Sequence, residues 1–255
     1  MRLFDSHTHS HLRSFEELQA MAAANIEGLV TCAFLPVKPS GASTLVDLFR
    51  WLVNEESARL CKAGLHPLIA VGIHPRCIPD MGWDDALDSL DTFLGSRRAA
   101  ALGEVGLETG DATECEVLLR QLRIAARHQV PVIVHTPRIN KDAMLDATLA
   151  ILAASGVQAA RVVVDHLGGE AVGRVRALGF HVGLTVQPGK LTAADVAEQV
   201  RVNGPERLLV DSDLSHVASN PLTVAEVARH LAGDGIDPTV IAAVVGGNLA
   251  ALFGV

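Results

Sequence analysis

The sequence predicts a single (β/α)8 TIM-type barrel that spans residues 1–255. Three observations indicate this fold. Short apolar, β-branched runs recur eight times, segments with helical spacing separate them, and no linker or low-complexity stretch divides the chain. Strands that alternate with helices form βαβ units with parallel strands, and eight such units are the number that makes a barrel of this length.

The candidate strands are short apolar runs. In chain order they cover residues 2–5, 28–34, 67–73, 99–105, 130–134, 161–164, 180–186 and 207–210. Between them, residues 112–128 illustrate the helical pattern, because leucines and alanines recur at helical spacing with arginines on the other face.

Hydrophobic residues make up 49% of the chain, aromatic residues only 4%, and tyrosine is absent. The core must therefore consist of Val, Leu, Ile and Ala, which is typical of a parallel sheet covered by helices.

The net charge and the lack of long apolar runs restrict the expected substrates and partners. The net charge of −8 provides no basic footprint for a nucleic-acid backbone, although a local groove or bound divalent ions could compensate. We therefore expect a small-molecule substrate rather than nucleic acid. No apolar run is long enough to cross a membrane, so no membrane partner is expected. Nothing in the sequence indicates an oligomeric state.

The expected compartment is the cytoplasm. The four cysteines are scattered and show no Cys-x-x-Cys spacing, which argues against a zinc knuckle and against a disulfide scaffold. Asp5 and the histidines that follow it come too early for the charged and apolar regions of a secretory signal peptide.

The first candidate strand leads directly into Ser6-His7-Thr8-His9. Residues i and i+2 of a strand face the same side with Cα atoms roughly 6.6 Å apart, so both imidazoles can reach one metal ion. The alternative is a chance cluster of surface histidines, since His11 follows closely. The pair alone does not decide between the two interpretations.

Histidines and carboxylates follow six of the eight candidate strands. After the first pair, the residues at the strand exits are His74, Glu104, His135, His166 and Asp213. The active site of such a barrel lies at the carboxyl ends of its strands, so these side chains should converge. Each histidine alone could be a core residue bonded to a carbonyl, but independent core histidines have no reason to share this position. Asp211 competes with Asp213, because both lie on the same face and their spacing does not separate them.

The ligand types predict the metal chemistry. Imidazole and carboxylate groups suit Zn, Mn, Fe, Co and Ni better than Ca or Mg. The candidates outnumber the ligands of one tetrahedral ion, so we expect two divalent ions, Zn in the first place, with Mn, Fe, Co, Ni or Mg as alternatives. Glu104 is the candidate bridge between the ions. Asp213 would manage the proton of a metal-activated water while also touching a metal.

The ordered set of motifs resembles the TatD-like metal-dependent hydrolases of the amidohydrolase superfamily. It consists of His7-Thr8-His9, Gly72-Ile73-His74-Pro75, the segment 103–108, Val134-His135, Asp165-His166 and Asp211-Ser212-Asp213, with a closing segment at 247–254. The resemblance implies a TIM-type barrel whose metals are held by His7, His9, Glu104, His135, His166 and Asp213. It prefers Asp213 over Asp211 and places His74 and Glu108 at secondary positions of the site.

Departures from the family pattern affect the expected substrate. Leu214-Ser215-His216 stands where better-known members carry Ala-Pro and an aromatic residue, and His11-Leu12-Arg13 replaces an apolar continuation. Without tyrosine, fewer side chains can stack on bases. Arg138 and His216 are added to His74 and Glu108 as candidate substrate-binding residues; the alternative for Arg138 is a solvated loop charge.

These observations predict a hydrolase with a binuclear metal site and Asp213 and Glu104 in catalytic roles. The expected reaction is cleavage of a phosphoester, an ester or lactone, or an amide in a small molecule. Two alternatives stay open. One is a TatD-like deoxyribonuclease of the 3'-5' exonuclease type, and the other is a non-catalytic metal-binding or pathway-partner barrel.

Overall fold

The computed structural model describes residues 1–255 and contains eight strands that alternate with helices. The strands are β1 Leu3–Thr8, β2 Ile26–Cys32, β3 His66–Val71, β4 Ala101–Gly106, β5 Val132–His135, β6 Val162–Val164, β7 His181–Thr185 and β8 Leu208–Asp211. The α-helices are α1 Phe15–Ala23, α2 Ala42–Trp51, α3 Ser57–Ala63, α4 Trp83–Gly95, α5 Ala112–His128, α6 Lys141–Ser155, α7 Gly169–Ala177, α8 Ala193–Asn203, α9 Thr223–Gly233, α10 Pro238–Ala242 and α11 Asn248–Phe253.

All eight strands belong to one sheet, in which they follow one another in chain order from β1 to β8. Parallel strands in chain order with a helix in each connection define the (β/α)8 TIM-type barrel class, so the predicted fold class is confirmed. None of the helices is long and apolar enough to cross a membrane.

Two compact units can be distinguished within this fold, and each is described by itself. The first unit consists of Met1–Thr31, Ser57–Leu68 and Val164–Val255. The second consists of Cys32–Glu56 and Ile69–Val163. The expectation that residues 1–255 form a single domain stays a prediction.

In the first unit, β1 lies between β2 and β8. It pairs in parallel with β2, with Leu3 opposite Ile26, and on its other side the His9 amide donates to the Leu214 carbonyl at 2.6 Å. β7 pairs with β8 in the same direction, with Thr185 opposite Asp211. The first and last strands of the chain are therefore neighbours, as a barrel requires, and their carboxyl ends lie together.

β1 continues three residues beyond the predicted strand, which ends at Asp5. Ser6, His7 and Thr8 are polar yet fully buried, because their side chains have partners inside the sheet. The Ser6 hydroxyl donates to the Val210 carbonyl at 3.1 Å, and the Thr8 hydroxyl donates to the Val30 carbonyl at 2.9 Å. Because these hydrogen bonds satisfy the polar side chains, the strand continues beyond the point where hydropathy alone predicts its end.

In the second unit, β4 lies between β3 and β5. Ala70 of β3 is opposite Ala101 of β4, and Gly106 at the end of β4 is opposite His135 at the end of β5. A Cβ atom on Gly106 would meet the His135 side chain at 3.0 Å, so glycine allows the two strand ends to approach closely. This register sets Glu104 and His135 beside each other.

Local capping signals begin several of the helices. Ser14 and Glu17 form a capping box at the start of α1, and Thr192 and Asp195 form another at the start of α8. The Asp111 side chain accepts a hydrogen bond from the Glu114 amide and caps α5, which covers residues 112–128 as predicted.

Candidate metal centre

His7, His9, His166 and Asp213 form a cluster in the first unit, which we call the first cluster. Ligand atoms of His7, His166 and Asp213 all lie within 4.8 Å of one another. The rings of His7 and His166 have centroids 5.2 Å apart, and Nε2 of His9 lies 3.5 Å from Oδ1 of Asp213. The structure therefore brings together four of the residues that the sequence analysis selected.

His7 is oriented by a buried carboxylate. Its Nδ1 lies 2.7 Å from Oδ2 of Asp165, and both side chains are 0% exposed. A carboxylate accepts the Nδ1 hydrogen of a neutral imidazole, which leaves the lone pair on Nε2. Pairs of this kind orient metal-binding histidines, so His7 is set up to offer Nε2 as a ligand.

The two acids at the end of β8 occupy different surroundings. Asp211 is buried beside other acids, and burial together with the Asp165 carboxylate raises its pKa well above the ordinary value. Burial also opposes ionisation of Asp213, but the nearby His166 and Lys190 outweigh it, so the pKa of Asp213 lies below its ordinary value. Asp213, and not Asp211, therefore stands in the first cluster as an ionised carboxylate. Its metal-binding role stays a prediction.

Lys190, in the loop between β7 and α8, contacts two members of the first cluster. Its Nζ lies 2.6 Å from Oδ2 of Asp213 and 3.0 Å from Nδ1 of His166. Nδ1 of His166 also lies 2.8 Å from the Thr185 hydroxyl, which donates to Oδ2 of Asp211 at 3.2 Å. The cluster thus contains a built-in cation.

Two residues of the first cluster adopt a backbone conformation that L-amino acids rarely use. His166 has φ 63° and Asp213 has φ 44°, and neither is a glycine. Such conformations cost roughly 1–3 kcal/mol and persist at functional sites where the surrounding structure holds them. The surrounding structure therefore holds both residues in this conformation just after β6 and β8.

His74, Glu104 and His135 form a second cluster, in the second unit. Their ligand atoms lie within 4.8 Å of one another. Nδ1 of His135 lies 2.8 Å from Oε1 of Glu104, and its Nε2 lies 3.1 Å from Oε2 of Glu108. Burial opposes the charged form of His135, but the two carboxylates outweigh it and hold its pKa above the ordinary value. The two carboxylates therefore favour a positive charge at His135.

His74 is suited to orient Glu104 rather than to bind a metal. Its Nδ1 accepts a hydrogen bond from the Arg76 amide at 3.1 Å, which uses the lone pair of the neutral ring. Nε2 then carries the hydrogen, and it lies 3.7 Å from Oε2 of Glu104. Proximity alone would count His74 as a ligand, but these hydrogen bonds favour a secondary role, which stays a prediction.

Glu108 lies at the edge of the second cluster on a tightly held loop. The buried Glu114 carboxylate accepts hydrogen bonds at 2.8 Å from the amides of Glu108, Thr109 and Gly110. Oε2 of Glu108 also lies 3.8 Å from Nε of Arg76. The hydrogen bond from His135 lowers the pKa of Glu108 despite its partial burial.

The other two candidate substrate-binding residues lie outside the clusters. Arg138 follows β5 and His216 follows β8, and both are exposed. Asp165, Lys190 and Gln187 were not among the site residues predicted from the sequence. The adjacency of Asp165 to His166 was one available signal. Gln187 and Lys190 follow β7, one of the two strands whose exit carries neither a histidine nor a carboxylate.

The donor chemistry fits divalent transition ions. Each cluster combines buried imidazole nitrogens with carboxylate oxygens close enough to share one ion, and His7 has the hydrogen-bonded carboxylate that oriented metal ligands carry. Residues of the first cluster would hold an ion through His7, His9, His166 and Asp213. Glu104 and His135 would do so in the second.

Comparisons with known proteins agree with this chemistry. The family model described as TatD related DNase matches residues 4–254. A metal-dependent hydrolase of Methanocaldococcus jannaschii, itself uncharacterized, is 34% identical over 244 residues, which cover 95% of this chain and 96% of that protein. A second uncharacterized metal-dependent hydrolase, from Escherichia coli strain K12, is 26% identical over 276 residues and covers 99% of this chain.

A solved structure shows the same likeness. The crystal structure of the TatD-like protein from Archaeoglobus fulgidus superposes with a TM-score of 0.85 at 32% identity, covering 99% of this chain and 100% of that one. The match to the family model spans nearly the whole chain, and two relatives above 30% identity cover it almost completely. This chain therefore belongs to the TatD-related DNase family and is a metal-dependent hydrolase.

Proposed function

We propose that the protein hydrolyses a phosphoester, an ester or lactone, or an amide in a small molecule, using two divalent ions. The observation that carries this proposal is the first cluster, where His7 is oriented by Asp165 beside an ionised Asp213. Zn is the first candidate ion, with Mn, Fe, Co, Ni or Mg as alternatives. When bound, such ions polarise the substrate oxygen and lower the pKa of a water molecule.

The protein's own residues then position groups and move protons. The rings of His7, on β1, and of His9, directly after β1, have centroids 5.1 Å apart, and Asp165 prevents His7 from rotating. Asp213 is ionised, as a proton acceptor has to be, and in this proposal its carboxylate would take a proton from the attacking water and pass it to the leaving group. The predicted bridging role of Glu104 between two ions stays part of the proposal.

The small-molecule substrate is supported by the net charge of −8 and by the absence of tyrosine. The second candidate function is a deoxyribonuclease, because the matching family model is described as TatD related DNase. A cytoplasmic location is also proposed, and the four free cysteines support a reducing compartment.

The first test is metal content combined with an activity screen. Protein purified without chelator and then reconstituted with Zn or Mn should bind close to two equivalents. It should hydrolyse at least one member of a panel of phosphomonoesters, phosphodiesters, lactones and amides. Glu104→Gln should reduce this activity more than about a hundredfold, because the neutral amide is a poor metal ligand. Glu116→Gln, on an exposed position of α5, is the matched control and should leave the activity unchanged.

Two results would contradict the proposal. Failure to bind metal after reconstitution would remove the hydrolytic site. Full hydrolysis by Glu104→Gln with an unchanged metal content would refute the bridging role. Salt-sensitive binding and cleavage of single-stranded DNA, without turnover of any small molecule, would favour the deoxyribonuclease.

A further inference from the structure

The loop after β7 holds Lys190 in a defined place beside the first cluster. Its side chain is only 11% exposed. The Lys190 amide donates to the Gln187 carbonyl at 2.9 Å, and the Gln187 side chain donates to the Asp213 carbonyl at 2.9 Å. The Leu191 amide also donates to the Thr185 carbonyl at 3.1 Å. Hydrogen bonds therefore fix this turn to Thr185 of β7 and to Asp213, the residue that Lys190 contacts.

The contact between Lys190 and His166 is incompatible with metal binding by His166. An ammonium group only donates, so a hydrogen bond at the observed 3.0 Å requires that Nδ1 of His166 accepts with its lone pair; the Thr185 hydroxyl, 2.8 Å from the same nitrogen, then has no hydrogen bond to it while it donates to Asp211. A neutral imidazole has one such lone pair. If Nδ1 binds the metal, its lone pair is used, and if Nε2 binds the metal, Nδ1 carries the hydrogen and donates to Thr185. In either case the Lys190 ammonium has to leave His166.

Electrostatics indicate where the ammonium goes next. A divalent ion in the first cluster repels a neighbouring ammonium and takes over the charge of Asp213, so the 2.6 Å pair with Lys190 weakens. The acid that contacts this cation is Asp213, which follows β8, and the neighbouring acids Asp165 and Asp211 are fully buried. An anionic group that sits against both the ion and Lys190 would offset this repulsion.

We propose that Lys190 is the anion-binding residue of the site, released from His166 by metal loading and free to pair with a phosphate or carboxylate group of the substrate. This inference rests on the proposed function, because it requires metal in the first cluster. It assigns specificity for negatively charged substrates to a residue outside the expected ligand set.

The direct test is binding of inorganic phosphate and of acetate to the Zn-loaded protein, measured by calorimetry. Lys190→Met should keep its metal content and weaken binding of the preferred anion about tenfold, as expected for loss of one charge-assisted contact. Lys190→Arg should restore much of the affinity. Lys62→Met, which removes an exposed lysine over the Phe15 ring of the same unit, is the matched control and should bind as the wild type does. Phosphate or acetate as the stronger probe identifies the anionic group.

A second measurement tests the release of Lys190 without using activity. In the metal-free protein, Lys190→Met removes the cation that pairs with Asp213, so the thermal midpoint should fall. After metal loading, the ion neutralises Asp213 itself, and the difference between Lys190→Met and the wild type should largely disappear. Lys62→Met should show the same small difference in both states.

Several results would overturn the proposal. Unchanged phosphate and acetate binding by Lys190→Met at equal metal content would show that Lys190 does not bind anions. Loss of metal by Lys190→Met would make Lys190 part of the metal site instead. An equal drop in the thermal midpoint with and without metal would show that the ammonium stays in place. A wild-type protein that takes up no metal refutes the proposed function as well, and the metal content separates this case from the others.

Discussion

Nδ1 of His7 and Oδ2 of Asp165 lie 2.7 Å apart in a fully buried pair that joins the end of β1 to the residue after β6. Burying a carboxylate is costly unless it is paired, so this geometry serves a purpose beyond packing. It fixes both the ring orientation and the hydrogen position of His7. The readiness of the first cluster for a metal ion therefore depends on a residue that does not touch the ion.

Asp165→Asn is expected to reduce metal affinity 10- to 100-fold, because the neutral amide no longer holds the Nδ1 hydrogen of His7 as strongly. Competition with a chromogenic chelator measures this affinity. Glu198→Gln, at an exposed position of α8, is the control and should not change it. Equal metal affinity of Asp165→Asn and the wild type would contradict the orienting role.

Gly183→Ala should disturb the same pair from the neighbouring strand. A Cβ atom on Gly183 would collide with Oδ1 of Asp165 and lie 3.0 Å from Oδ2 of Asp211. Overpacking of a close contact costs about 1–3 kcal/mol, so the free energy of unfolding should fall by that amount in urea titrations. Metal affinity should fall together with it, since Asp165 has to move.

Gly233→Ala is the matched control, because nothing lies within 4 Å of a Cβ at this end of α9. It should leave metal affinity unchanged and should not lower the free energy of unfolding, because alanine suits a helical position at least as well as glycine. Normal stability of Gly183→Ala would mean that Asp165 shifts without cost and that the pair is not tightly packed.

Glu114→Ala should loosen the loop that carries Glu108. The Glu114 carboxylate accepts three backbone amides at 2.8 Å from a buried position, and hydrogen bonds to a charged group each contribute about 1.5–3 kcal/mol. Because water can replace part of this network, we expect a loss of about 3 kcal/mol in the free energy of unfolding. Glu116→Ala, two residues along α5, removes an exposed carboxylate and should cost less than about 0.5 kcal/mol. Similar losses for the two variants would refute the role of Glu114 in holding this loop.

Much of the fold could be predicted from the sequence because its signals are local. The run 180–186 appears as β7 His181–Thr185, and the helical pattern at 112–128 appears as α5 with the same bounds. The buried polar end of β1 could not be predicted in this way. Ser6 and Thr8 are accommodated by carbonyl groups of β8 and β2, and such partners are distant in sequence.

Some residues of the candidate site could likewise be predicted from the sequence, and others could not. His7, His9, His166 and Asp213 could be selected because strand exits meet at one end of a barrel. Asp165 and Lys190 were missed since their significance lies in pairings with residues 158 and 23 positions away, respectively. Strand periodicity specifies which face a residue occupies, but it does not specify which loop folds back over the site.

The four cysteines should differ sharply in reactivity. Cys61 is exposed, whereas Cys32 and Cys77 are buried. Burial raises the pKa of Cys77 to about 11, although a hydrogen bond from the Leu35 amide opposes this effect. The thiolate is the reactive form, and at pH 8 a thiol with that pKa is only about 0.1% ionised.

Iodoacetamide at pH 8 should therefore modify Cys61 rapidly and leave Cys77 unmodified until the protein unfolds. Peptide mapping by mass spectrometry measures each site, and Cys61→Ser should remove the fast phase. Rapid modification of Cys77 in the folded protein would show that the segment after His74 opens readily, and the second cluster would then be less rigid than its hydrogen bonds indicate.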